Sequence, residues 1–204
     1  DLDDLIARRM AELGAYQNEA YARRYGQQVA AVAALGSDAL TRAVAVNLYK
    51  LLAYKDEYEV ARLYSDGRFD QMKSETFKGG KAKVWLAPPL LNLKDSEGRP
   101  RKIAFGGWML RYGFPVLARL KGLRGTALDL FGNSEERRTE RRLIRDYEAG
   151  LARLIAEYSP ARAALAMEIA RLPDQIRGYG HVKDKAVEAA DQQAAGLWSA
   201  WESI

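Results

Sequence analysis

The chain has 204 residues, 48% of them hydrophobic, and its 32 basic and 27 acidic side chains leave a net charge of +5. A chain of this size buries roughly 70% of the surface it exposes when unfolded, enough for one domain with a real core. With no cysteine, disulfides, thiolate zinc sites and cysteine-held iron–sulfur clusters are excluded within these residues, which fits a reducing compartment. No apolar run approaches the ~20 residues of a bilayer crossing and no signal-peptide pattern opens the chain, so a cytoplasmic protein with no membrane partner is expected. Both signs of charge are interspersed rather than gathered on one face, which speaks against a nucleic-acid partner. The opening DLDDLIARRM lacks an initiator methionine, as expected of a portion excised from a longer protein.

Residues 2–35 read as one long helix or two joined ones. Leu2, Leu5, Ile6, Leu13, Tyr16 and Ala20 keep helical spacing, and AVAAL carries it to Leu35. Gly14 and Gly26 weaken the run by about 1 kcal/mol each relative to alanine; Gly36 ends it, and Ser37 can cap a second helix. That second helix is predicted over about 38–64, with Val44, Leu48, Leu51 and Leu52 on one stripe and Val60, Leu63 and Tyr64 resuming it. Lys55 and Glu59 lie four apart on a shared face, where opposite charges attract. They make either a solvated pair or, if buried, part of a hydrogen-bonded network that meets a ligand or partner.

SDGRF (65–69) reads as a turn. KAKVWLA (81–87) and RKIAF (101–105) then look like short strands joined by PPLLNLKDSEGRP, where Pro88 and Pro89 stop the first strand and Glu97-Gly98 supply a turn. FPVLARLK is a short helix with Pro115 near its first turn. Ser134 caps a further helix, Glu135 and Glu136 suit its positive end, and Leu143, Tyr147, Leu151, Leu154 and Tyr158 form the cleanest apolar stripe in the chain. Ser159-Pro160 restarts a helix with Leu165, Ile169 and Leu172 facing inward, and Pro173 halts it. The IRGYG loop intervenes before a final helix over about 181–203 that carries Trp198 and Trp201. The expected fold is mainly α: one irregular multi-helix domain over 1–204, with a small β hairpin or flap around residues 80–106.

His181, the single histidine, is the first candidate for chemistry. A catalytic histidine works with a nucleophile or an orienting carboxylate, and the nearby acid, Asp184, could instead lie one turn along the last helix. Gly178 and Gly180 permit positive φ, so the loop serves as a turn or a docking element. Arg177, Tyr179, His181 and Lys183 would then form a contact surface, since arginine and tyrosine are enriched at interfaces.

In ARLKGLRGTALDLFGNS (118–134), Arg119, Lys121 and Arg124 surround Gly122 and Gly125. Glycines let backbone amides approach a phosphate, and the cations supply charge. The segment is neither a P-loop nor GxGxxG, and it reads as a plain basic turn or as an anion site, for a diphosphate cofactor for example. RRTERR (137–142) sets Arg137 near Arg141 and Arg138 near Arg142, with Glu135, Glu136, Glu140 and Asp146 able to offset them. No aromatic platform interleaves this patch, so it reads as solvated or partner-facing. No HExxH, GxSxG, CxxC or DxDxDG motif occurs. By these residues alone no reaction is named, and no catalytic, cofactor-binding or metal-binding residue is assigned.

Several phrases, in order, carry a resemblance: NLYKLLAYKDEYEVARLY (47–64), LAPPLL (86–91), ARLKGLRGTALDLFG (118–132), ERRTERRLIRDYE (136–148) and LPDQIRGYGHVKDKA (172–186). Together with the opening segment they resemble the C-terminal region of the long, fused bacterial indolepyruvate ferredoxin oxidoreductases, of the 2-oxoacid:ferredoxin oxidoreductase family. The resemblance implies a parent enzyme that oxidatively decarboxylates aryl-2-oxoacids to acyl-CoA and passes the electrons to ferredoxin. It also implies thiamine diphosphate, magnesium and 4Fe-4S clusters in that parent. Thiamine diphosphate would perform the hard step there, but its GDG…N motif is absent from this chain. The expected role is therefore accessory: packing against the catalytic domains of the same polypeptide or against the other protomer of a homo-oligomer. One alternative is a stand-alone helical module that binds an anionic ligand through Arg119, Lys121 and Arg124, or a partner protein. Another is an enzyme built from carboxylates and His181.

Overall fold

The computed structural model describes residues 1–76, 83–86 and 103–204. The chain forms two compact units, one of residues 1–54 with 139–204 and one of residues 55–138. In chain order the helices and strands are α1 (Leu2–Tyr16), α2 (Glu19–Ala33), α3 (Asp38–Leu52), α4 (Glu57–Ser65), α5 (Arg68–Thr76), β1 (Val84–Leu86), β2 (Ile103–Phe105), α6 (Phe114–Arg119), α7 (Glu135–Glu157), α8 (Ala163–Arg171) and α9 (His181–Glu202). The fold is mainly α with a two-stranded antiparallel sheet.

The first unit has one apolar core, drawn from α1, α2, α3, α7, α8 and α9. Tyr25, Val29 and Val32 meet Val44, Leu48 and Leu52, Leu151 and Leu154 of α7, Ile169 of α8 and Trp201 of α9. Burial of each such side chain stabilises by about 1.5–3 kcal/mol. The run over 2–35 breaks at Gln17 and Asn18 rather than at a glycine. Asn18 accepts from the Tyr21 amide at 2.9 Å and caps α2. Gly26 lies inside α2 where Met10 of α1 packs closely: a Cβ there would sit 3.0 Å from Met10 Cε and Sδ.

Tyrosine hydroxyls close the end of α3. Tyr21 donates to the Leu52 carbonyl and Tyr16 to that of Tyr54, each at 3.0 Å, so carbonyls that a helix end leaves without partners are satisfied. Trp201 is buried, and its indole donates to Glu157 Oε2 at 2.7 Å. That bond, with help from Arg153, holds the Glu157 carboxyl below the usual carboxylate range.

The helix expected over 38–64 is two helices. Asp56 accepts from the Glu59 amide at 2.8 Å and starts α4, leaving residues 53–56 outside either helix. In the second unit Ala61, Val84 and Phe114 make a small core, with Tyr64, Met109, Leu110, Leu117 and Ala118 packed on it. A helix, α5, starts directly after Gly67, in place of the simple turn that SDGRF suggests. In the sheet Val84 pairs with Phe105, Trp85 with Ala104 and Leu86 with Ile103. The outer residues of both expected strands, and the connection with Pro88, Pro89, Glu97 and Gly98, lie outside the described residues.

Candidate functional site

The 176–186 loop, in the first unit, turns through two glycines of positive φ, Gly178 at 95° and Gly180 at 54°. His181 is the first residue of α9 and is exposed, as are Arg177 and Tyr179. Arg177 Nε donates to the Asp174 carbonyl at 2.9 Å. Lys183 departs from the expected surface: its ammonium turns inward onto buried Glu140, 2.6 Å from Oε1. This holds the first turn of α9 against α7. A Cβ on Gly178 would come within 2.7 Å of Val182 Cγ1, on top of the backbone strain. Gly178→Ala should therefore cost about 1–3 kcal/mol in urea unfolding, and an unchanged midpoint would contradict the loop geometry.

In the second unit the basic glycine turn is built around carboxylates of the chain itself. Arg124 is buried against Asp56, with Nε 2.5 Å from Oδ2 and Nη2 2.9 Å from Oδ1. The Gly125 amide donates to Asp129 Oδ2 at 2.8 Å, and the Phe131 amide to Oδ1 at 3.2 Å. Tyr58 donates its hydroxyl to Asp129 Oδ1 at 3.2 Å. Burial, reinforced by the Asp129 charge, pushes that hydroxyl up to about 12.

Of the residues in the anion-site reading, Arg124 is thus engaged by a carboxylate of the chain itself. Arg124 and the Gly125 amide already hold carboxylates, Arg119 is exposed, and Lys121 is half-buried. The Lys55–Glu59 pair is corrected. Lys55 precedes the cap of α4 and is exposed, while Glu59 takes Arg62 in a two-point pair at 2.8 and 2.7 Å. Arg137, expected on a solvated or partner-facing surface, is buried 3.6 Å from Glu57 Oε2. Burial pushes the Glu57 carboxyl up, against the pull of Arg137.

The clamp fixes the segment beyond α6 onto the start of α4, and the unit then presents apolar groups outward. Gly107 and Trp108 are α-helical, Met109–Gly113 is a π turn, α6 comes next, and Leu120–Leu123 is a 3-10 turn. A π turn holds more residues than an α turn, so side chains four apart stay nearly in line. Leu110, Phe114, Leu117 and Ala118 face the core. Trp108, Tyr112, Val116 and Leu120 form the other stripe and are 59%, 62%, 56% and 38% exposed. Arg111 lies 5.6 Å from the Tyr112 ring centroid, and Arg119 is exposed as well. Between residues 103 and 130 the single acid is Asp129, which is buried, so this segment itself adds only basic charge, from Arg111 and Arg119, beside its exposed apolar stripe.

Of the residues singled out from sequence, the structure brings Arg124 and Lys121 into one neighbourhood of the second unit, and Arg177, Tyr179 and His181 are exposed in the first. The Trp108 stripe is absent from the sequence reading. Its spacing of four is legible, but a helix beginning only at Phe114 leaves Trp108 and Tyr112 outside it.

The sequence profile of a family described as of unknown function, DUF6537, matches residues 2–196. No curated protein and no solved structure matches the chain.

Proposed function

The chain belongs to that DUF6537 family, and from this premise we propose that it is an accessory docking domain of a cytoplasmic indolepyruvate-type ferredoxin oxidoreductase. In this reading the parent polypeptide decarboxylates aryl-2-oxoacids to acyl-CoA with thiamine diphosphate, magnesium and 4Fe-4S clusters, and hands electrons to ferredoxin. The present residues contribute packing: with no cysteine, they leave thiolate ligation of clusters to other parts of that polypeptide. The observation that carries the docking role is the outward stripe of Trp108, Tyr112, Val116 and Leu120. Tryptophan, tyrosine and arginine are the residue types that dominate interface energetics, and a monomer rarely leaves such a row in water without a partner. Arg111 and Arg119 beside the stripe favour an acidic rim on the catalytic domain that covers it. The ordered phrases from NLYKLLAYKDEYEVARLY to LPDQIRGYGHVKDKA support the parentage.

An antibody raised against the chain tests that parentage in extracts of the source cells. It should capture a polypeptide far larger than 22.8 kDa that contains iron and thiamine diphosphate and reduces ferredoxin with indolepyruvate and CoA. A captured species of the chain's own mass, lacking both, would overturn the reading.

A further inference from the structure

The first unit holds an open pocket of about 270 Å³, lined by residues apart from the Trp108 stripe. Its walls include Leu143, Tyr147, Ile169, Leu172, Ile176 and Trp198, contributed by α7, α8, the turn after α8, and α9. The Tyr147 hydroxyl donates to the Ala170 carbonyl at 2.8 Å, which leaves its ring to offer an apolar surface. Among the described lining residues the charged ones are Asp146 and Asp191, both half-exposed and therefore at the mouth. One guanidinium holds them together: Arg142 Nη1 lies 3.1 Å from Asp146 Oδ2, and Nη2 lies 3.0 Å from Asp191 Oδ2. Two carboxylates on one guanidinium leave this trio of side chains with one net negative charge. By the wall at Pro173, the Lys50 ammonium is bound to the carbonyls of Pro173 and Asp174, at 2.5 and 3.4 Å.

We infer that this cavity binds a small hydrophobic amine, its tail in the apolar chamber and its ammonium on Asp146 and Asp191. An apolar cavity of about 150 Å³ already accepts benzene, so the volume here suits a chain of about six carbons or a single ring. The carboxylates supply the sign of the head group and the chamber supplies the need for a tail. Either feature alone would be unselective. The inference rests on residues separate from the Trp108 stripe and stands whether or not docking does.

Calorimetric titration of the chain with n-hexylamine tests it, with ethylamine, hexanoate and 1-hexanol as comparisons. Hexylamine should saturate a single site. Ethylamine, with the head group but little tail, should bind at least tenfold more weakly, because each buried methylene contributes to affinity. Hexanol should bind about fivefold more weakly, the scale of an exposed ion pair, and hexanoate more weakly still. In the Asp146→Asn/Asp191→Asn double variant, Arg142 becomes the charge at the mouth and the preference should invert toward hexanoate. Both positions are half-exposed, and circular dichroism will report whether the fold is kept. A single Asp191→Asn variant, which retains the Asp146–Arg142 pair, should lose preference for the amine without reversing it. The inference fails if hexylamine shows no saturable binding, if ethylamine or the uncharged and anionic probes bind equally well, or if the folded variants keep the amine preference.

Discussion

Asp56→Ala should destabilise the second unit by about 3–5 kcal/mol, the cost of leaving a buried partner charge uncompensated. The Asp56 and Arg124 side chains are 3% and 5% exposed, so water does not replace the lost carboxylate. The same substitution removes the cap of α4, about 1 kcal/mol more, because Oδ1 that meets Arg124 Nη2 also accepts the Glu59 amide. Asp56→Asn should fall between wild type and alanine, since an amide oxygen still caps but carries no charge. Removing both charges, as Asp56→Ala with Arg124→Met, should recover much of the loss, because apolar replacement of a buried pair is often close to neutral. Hydrogen exchange resolved to residues 55–138 measures this directly. Exchange in that stretch unchanged by Asp56→Ala would show that the pair does not hold the loop.

The second large effect is on association. If the proposed docking role holds, Trp108→Glu should weaken binding of the chain to the separately prepared catalytic domains of the proposed parent enzyme by at least a hundredfold. Truncation of a central aromatic at an interface costs about 2 kcal/mol or more, and a carboxylate adds the penalty of burying a charge. Tyr112→Glu should act in the same direction. The fold should survive both, because the two rings lie outside the core that holds Phe114 and Leu117. Arg111→Glu and Arg119→Glu should mainly slow association and flatten its salt dependence, as border charges do. Surface plasmon resonance separates these effects. Affinities that stay within twofold for Trp108→Glu and Tyr112→Glu would remove the stripe from the interface.

The helices of the first unit are legible because their apolar residues repeat at helical spacing: Leu143, Tyr147, Leu151 and Leu154 are all buried. Ser37 and Ser134 cap as expected, accepting from the amides of Leu40 and Arg137 at 3.3 Å. The break before α4 is also readable in principle. Asp56 with Glu59 three residues later is a helix-start signature, but the apolar stripe of Leu51, Leu52 and Val60 runs across it and masks it.

The clamp has no such local signal. Arg124 and Asp56 are 68 positions apart, and no local rule pairs residues over such a distance. Helix α5, RFDQMKSET, has too few apolar residues for a helical period to stand out. The π turn at Met109–Gly113 has no sequence signal of its own, yet it brings Trp108 into line with Tyr112 and Val116. The exposed aromatic row therefore becomes visible only in the folded chain.

Hydroxyl-radical footprinting of Trp108 and Tyr112, in the chain alone and in the proposed parent polypeptide, tests docking most directly. Docking predicts strong labelling of both rings in the chain and deep protection in the parent. Equal labelling in the two would contradict it.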